Sequence, residues 1–318
     1  VRTLKILTVL LAVSSTIAFV LASRATARPL TAISSITPSM NYAYVRIEGR
    51  IPNFPTVSDD AIAFNVLDAS GDIRVTAYRT VADVLQREQR IPMPGDVVTV
   101  EGTLRIRDDV PSLVLNTTEA LHIQSTEATS IRLSALDTTS VGERVQVIGQ
   151  VRRVRTVSEG LMIATLRAGN ATADMPLPLS LPMFATAPSL QEGEWISVTG
   201  GVGDFRDARQ LLPLGTAAIE RSAPPVDAFD IRPIRALDKT FVGQWVAVTG
   251  QVVDLRPFSQ GMRLLVEDED AAQLTIVVFE RVWDSLPIST TLAVGDVVRV
   301  QGEVQDYRGE LEILPEIA

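Results

Sequence analysis

The chain has 318 residues, of which 46% are hydrophobic and only 5% aromatic, with a formal net charge of −9. That length supports two or three domains, and an apolar content carried by Val, Leu, Ile and Ala leans towards strands. With no cysteine and one histidine, disulfides, thiolate metal sites, thiol nucleophiles and multi-histidine metal centres are excluded, and the acidic balance argues against a general nucleic-acid binder, whose affinity comes largely from phosphate neutralisation.

Residues 1–5 are basic, residues 6–22 carry no charge, and Arg24 and Arg28 follow. Such a run has the length of a short membrane span or of a long signal-peptide core. Residues 1–28 are therefore expected to act as a signal anchor or signal peptide, meeting the membrane through residues 6–22. The rest of the chain is expected on the extracytoplasmic side, or secreted if the segment is cleaved. Residues 29–40, which contain Pro and Ser, read as a linker.

A repeat dominates the remainder of the chain. Val45-Arg46-Ile47-Glu48-Gly49-Arg50-Ile51, Val145-Gln146-Val147-Ile148-Gly149-Gln150-Val151 and Val246-Ala247-Val248-Thr249-Gly250-Gln251-Val252 share one alternating pattern with a glycine on the apolar parity. This predicts a strand that bends at the glycine. A second pattern recurs at Gly95-Asp96-Val97-Val98-Thr99-Val100-Glu101-Gly102, at Gly193-Glu194-Trp195-Ile196-Ser197-Val198-Thr199-Gly200 and at Gly295-Asp296-Val297-Val298-Arg299-Val300-Gln301-Gly302. The glycine-to-glycine spacings are 53, 51 and 52 residues.

Between the two patterns, alternating segments predict hairpins at 62–67 and 73–78, and at 262–266 and 274–279; the middle repeat has 161–166 followed by Gly169-Asn170. A short helix is predicted over 81–88, capped by Thr80, and another over 280–286; Pro182 and Pro188 argue against one in the middle repeat. A last strand closes each repeat at 113–115, 211–214 and 311–314. The polar stretch 126–130 and Ser222-Ala223-Pro224-Pro225 read as breaks.

The order β, β, β, short α, β, β, with a glycine-bent first strand and a Gly-Asp-x-Val-x-Val-x-Gly fourth strand, resembles the oligonucleotide/oligosaccharide-binding (OB) fold. The resemblance covers about residues 40–318 and implies an all-β chain of three tandem five-stranded Greek-key barrels. The expected domains are 41–125, 130–222 and 226–318.

Binding members of that fold use the face of strands 2 and 3 and the loops joining strands 1–2 and 4–5. In the middle repeat those loops are expected to hold Arg152, Arg153 and Arg155, and Phe205, Arg206 and Arg209 beside Asp204 and Asp207. Arginines with an aromatic suit phosphates and a stacked base or sugar. Matching loops hold Phe54, Arg105 and Arg107 in the first repeat, and Arg256, Phe258, Tyr307 and Arg308 in the third. The acidic run 267–270 reads as a solvated turn, His122 as a strand-end surface residue, and Trp195, Trp245 and Trp283 as packing residues.

No catalytic, metal or cofactor site is expected. The primary expectation is a non-enzymatic, membrane-anchored scaffold or protein-binding module with a protein partner. The alternative is binding of single-stranded nucleic acid or another anionic oligomer, chiefly through the middle repeat.

Overall fold

The computed structural model describes residues 28–225, 231–286 and 291–315. The N-terminal segment expected to meet the membrane lies outside the described residues. Among the described residues, no helix is long and apolar enough to cross a membrane. The chain is mostly β and divides into two compact units. One takes the described residues up to Arg50 with 58–91 and 97–124; the other takes 51–57, 92–96 and the described residues from Ser125 onward.

The first strands are β1 (Tyr44–Arg50), β2 (Thr56–Val57), β3 (Ala61–Asp68), β4 (Gly71–Tyr78), β5 (Val97–Arg107), β6 (Val110–Leu115) and β7 (Leu121–Gln124). Within the first unit, β1 pairs along its length with β5 and at its end with β3. β3 pairs with β4, β4 runs parallel to β6, and β6 pairs back to β5, so five strands close on themselves. β7 adds to the free edge of β5. Alternation buries Ile47, Val75, Val98, Val100 and Leu113 inside the ring.

Residues 29–40 do not behave as a free linker. Leu30 pairs parallel with Arg46, Ile33 is buried, and the Ile33 amide donates to Asp68 at 2.9 Å. The helix α1 (Thr80–Arg87) starts at Thr80 rather than being capped by it; Arg79 holds the cap position at φ 45° and no side chain caps the helix.

The second unit holds two further sheets. The strands of its first sheet are β8 (Thr129–Ile131), β9 (Arg144–Ser158), β10 (Leu161–Ala168), β11 (Ala171–Pro178), β12 (Trp195–Phe205), β13 (Ala208–Pro213) and β14 (Ile219–Arg221). β9, β10, β11, β13 and β12 follow the same cyclic order and β12 returns to β9; β8 runs parallel to β9 and β14 edges β12. The Pro-rich stretch forms only a 3-10 turn at Pro182–Phe184. The last sheet, β15 (Trp245–Phe258), β16 (Gly261–Glu267), β17 (Gln273–Phe279), β18 (Val297–Tyr307) and β19 (Glu310–Leu314), is a closed five-stranded barrel. The short helix α2 (Glu280–Ser285) follows β17.

The sequence repeat has a structural basis. Gly49, Gly149 and Gly250 sit at one register, opposite Val98, Ile196 and Val298. The turn before the fourth strand is built identically three times. The Ile51, Val151 and Val252 amides donate to the carbonyls of Asp96, Glu194 and Asp296, and the Gly95, Gly193 and Gly295 amides donate back, all at 2.8–2.9 Å. The acidic side chain of the motif accepts the amide three residues earlier, from Met93, Gln191 or Ala293. In the second unit Asp96 also carries a buried ion pair with Arg144 at 2.8 Å, both side chains at most 6% exposed. Arg144 further donates to the carbonyls of Pro94 and Thr126.

A Cβ placed on Gly102, Gly200 or Gly302 would overlap the carbonyl oxygen of Val114, Leu212 or Leu314 on the next strand. Gly200→Ala is therefore expected to destabilise the chain by about 1–3 kcal/mol. Gly160→Ala, whose Cβ meets nothing closer than 3.9 Å, should stay within about 0.5 kcal/mol. Denaturant unfolding of the two variants distinguishes these outcomes.

The acidic turns are structural acceptors. Burial pushes the Asp68 carboxyl up, but hydrogen bonds from Ser70, Ile33 and Gly71 outweigh it and hold the group below its usual value. Asp268 behaves alike: burial acts upward, and the amides of Ala272, Ile234 and Asp270 together with Arg235 bring it below the usual value. A carboxylate with a lowered folded-state pKa contributes stability that is present above its unfolded pKa and lost as pH falls through the folded one. Asp68→Asn and Asp268→Asn should lower the melting temperature at neutral pH, with the deficit against the unaltered chain closing under acid. A deficit that stays constant with pH would contradict this assignment.

Candidate nucleic-acid interface

The middle arginines lie on a strand, not in the loop expected for them. β9 continues to Ser158 and the turn is Glu159-Gly160. Its register with β10 passes from Val151↔Leu166 to Arg153↔Thr165, so Arg152 is an extra residue in a bulge. A bulge sets two residues against one and resets the facing of the strand beyond it. Val151 and Val154 consequently both pack towards the core, while Arg153 and Arg155 are both exposed on the outer face. The third barrel repeats the device: pairing passes from Val252↔Val266 to Asp254↔Leu265, skipping Val253.

Arg153, Thr165, Asp174 and Gln210 are successive cross-strand neighbours over β9, β10, β11 and β13. At the spacing of neighbouring strands this row spans roughly 14 Å. Arg155 lies 3.8 Å from Asp174, whose carboxylate also accepts the Thr165 hydroxyl at 2.7 Å. Arg152 is half-buried; with Arg153 and Thr165 it lines a cleft of about 630 Å³ that also takes in Phe279, Arg281 and Glu303.

The second expected set sits at the β12–β13 hairpin. Arg206 and Asp207 form its two-residue turn with φ of 53° and 64°, the doubly positive pattern that suits the twist of a tight hairpin. The Arg206 guanidinium lies 5.1 Å from the ring centre of Phe205, and both are exposed. Arg209 is tied to Asp204 at 2.9 Å. The β18–β19 hairpin is equivalent: Arg308 and Gly309 have φ of 56° and 93°, and Arg308 lies 5.1 Å over Tyr307. The β5–β6 hairpin turns on Asp108 and Asp109 and has no ring at its tip. There Arg107 pairs across the hairpin with Val110, and Arg105 stacks on the exposed Tyr42 at 4.5 Å. Phe54 instead packs edge-on against Phe184 at 5.7 Å.

In the third barrel, Arg256 is exposed and bonded to Asp254 at 2.6 Å. Tyr307 and Arg308 line a groove of about 280 Å³ with Arg263, Thr275, Glu310 and Glu312. Burial raises the Glu312 carboxyl above its usual value; Arg263 acts against the shift and Glu310 adds to it. Arg263, Glu312, Asp174 and the exposed Arg74 of the first barrel were not among the residues singled out from the sequence. The available signal was parity: each occupies an outward position of an alternating strand. His122 is exposed on β7 opposite Thr99. Among the described residues, no three His, Cys, Asp or Glu side chains gather to hold a metal ion.

No family model and no curated protein matches this chain. Among solved structures, a replication protein A heterotrimer bound to single-stranded DNA matches at 11% identity over 90% of this chain and 94% of its own, with a TM-score of 0.32. An OBody bound to hen egg-white lysozyme matches at 24% identity over 30% and 93%, with a TM-score of 0.26. The S. pombe Stn1–Ten1 complex matches at 19% over 27% and 62%, with a TM-score of 0.23. At scores this low, the fold is carried by the strand pairings and not by these likenesses.

Proposed function

We propose that the chain is an array of three OB-type barrels, centred on 41–125, 130–222 and 226–318, that binds single-stranded nucleic acid or a comparable anionic oligomer without catalysing a reaction. The supporting observation is the pairing of exposed rings with guanidinium groups at the same hairpin tip of two barrels, Phe205–Arg206 and Tyr307–Arg308. Such a tip offers a stacking surface and a phosphate donor together. The second barrel is the principal element, because its outer face adds Arg153 and Arg155 with Asp174 as the nearby carboxylate. The corresponding row in the third barrel ends on Asp254 and Glu312. The acidic total opposes loose binding to any polyanion, which favours a partner held by stacking as well as charge.

A fluorescently labelled single-stranded oligonucleotide is expected to bind, and to weaken steeply between 50 and about 200 mM salt. Arg153→Ala with Arg155→Ala should cost at least about 1 kcal/mol of affinity and flatten the salt dependence. Phe205→Ala should cost about 1–3 kcal/mol. None of these changes should move the melting temperature much, since exposed arginines contribute little to folding. Salt-independent binding, or binding unaltered by all three substitutions, contradicts the proposal.

Glu312 gives a test of opposite sign. Its raised pKa means that mild acid neutralises it before an ordinary glutamate, removing a negative charge from the groove beside Arg263 and Arg308. Oligonucleotide binding to the third barrel should strengthen as pH falls through that value, and Glu312→Gln should give the strengthened binding at neutral pH and abolish that part of the pH dependence. Anisotropy titrations across pH on the two proteins read both effects.

A further inference from the structure

One row of outward positions recurs across the second, third, fifth and fourth strands of every barrel. In the second barrel it reads Thr165, Asp174, Gln210 and Gly203. In the third it reads Leu265, Thr275, Glu312 and Gln305. Each of these rows holds a carboxylate and no guanidinium. In the first barrel the row is Asn65 on β3, Arg74 on β4, Ser112 on β6 and Arg105 on β5. It holds a pair of guanidinium groups and no carboxylate. Directly opposite residues share a face, and Arg74 and Arg105 are both exposed.

The two arginines flank β6, so their backbones stand about 10 Å apart, two strand spacings. The short Ser112 side chain lies between them, its hydroxyl donating to the Arg105 carbonyl at 3.0 Å. Among the described residues, the Arg74 side chain has no hydrogen-bond or ion-pair partner, and the Arg105 guanidinium has only a ring. That ring is Tyr42, which is 65% exposed and covered on one face by Arg105 at 4.5 Å. The Tyr42 backbone has φ 68°, a conformation that bulky residues rarely adopt. Hydrogen bonds impose it: the Tyr42 amide donates to the Leu104 carbonyl at 3.0 Å, the Leu104 amide to the Ala43 carbonyl at 2.8 Å, and the Ile106 amide to Asn41 Oδ1 at 3.1 Å. The segment before β1 is thereby fixed along β5 on either side of Arg105. Strain of this kind persists only where the surroundings over-determine it. Here it adds little to the core, because the ring it positions stands mostly in solvent.

We propose that this row is a separate anion site on the first barrel, taking one phosphate group of a single-stranded nucleic acid between Arg74 and Arg105 and the adjoining base on the uncovered face of Tyr42. The class of ligand rests on the function proposed above; the site uses none of that function's residues in the second and third barrels. It is centred on β6, away from the face of the first two strands that carries Arg153 and Arg155 in the second barrel. Guanidinium forks match phosphate oxygens in charge and geometry, and every base offers a π-face to a ring. Asp72 stands two residues along β4 from Arg74, and Asp108 and Asp109 form the hairpin tip beyond Arg107. These carboxylates close one end of the face, so the nucleic acid crosses the strands along the row and does not follow them.

Photo-crosslinking reads this site apart from the second barrel. The probe is a single-stranded oligonucleotide of about five nucleotides, within the span of one OB-type barrel, with iodouracil replacing one base. Irradiated with the full chain and mapped by mass spectrometry, it should crosslink to Tyr42 and, through the second barrel, to Phe205. Arg74→Ala with Arg105→Ala should lower the yield at Tyr42 at least fivefold and leave the yield at Phe205 unchanged. Arg153→Ala with Arg155→Ala should do the reverse. An unchanged melting temperature and the retained Phe205 yield show that the first variant is folded. Arg74→Ala alone, which removes no partner, should still lower the Tyr42 yield. Crosslinking at Phe205 with none at Tyr42 would overturn this site and leave the function standing. Crosslinking at Tyr42 that survives loss of both arginines would also overturn it. Crosslinking at neither ring would overturn the site and the function together.

Discussion

Closing a sheet of only five strands obliges one strand to serve two neighbours. In each barrel that strand is the first: in the second and third its opening half pairs with the fourth strand and its later half with the second, and in the first it pairs with the fourth along its length and meets the second at Arg50. A strand cannot do this while flat, because the two partners lie in differently oriented parts of the closed sheet. The glycine at 49, 149 or 250 stands at the changeover, where in the first and third barrels a side chain would collide with the neighbouring backbone. Just beyond it, a bulge in the second and third barrels completes the bend.

The candidate interface depends on that bulge. In an unbroken strand Val151, Arg153 and Arg155 would share one face, and a valine committed to the core would draw both arginines inward. The extra residue at Arg152 breaks the sharing, so charge can leave the barrel without disturbing the apolar interior. The first barrel solves the same geometric problem with Pro52 and Pro55, which end pairing instead of bending it, and it carries no comparable run of arginines there.

Charge is also partitioned by the fold. Asp96, Glu194 and Asp296 hold the turn before the fourth strand, and Asp68 and Asp268 anchor the segment that leads into their barrels. These carboxylates are engaged with backbone amides. At the hairpin tips guanidinium groups and rings are exposed, with Arg209 paired to Asp204 in the second barrel.

Much of the architecture was legible in the amino-acid order. Period-two alternation, paired glycines at near-constant spacing and turn residues reflect local sterics and the burial of one strand face, and these act residue by residue. They determined the strands, the hairpins, the repeat and the closed barrel at its end. They also determined which arginines and aromatics fall near the first and fourth strands. What they could not determine depends on partners distant in sequence. The bulge at Arg152 lies where β9 passes from pairing with β12 to pairing with β10, so the facing of Arg153 and Arg155 could not be read from parity. Asp174 became a neighbour of Arg155 only through cross-strand register, whereas Asp204 stands beside Arg209 in the same short hairpin and was legible there. The short added strands β7 and β14 carry too few residues to show periodicity. The convergence of Trp195, Trp245 and Trp283 on one cavity follows from tertiary packing alone, since no sequence spacing relates them.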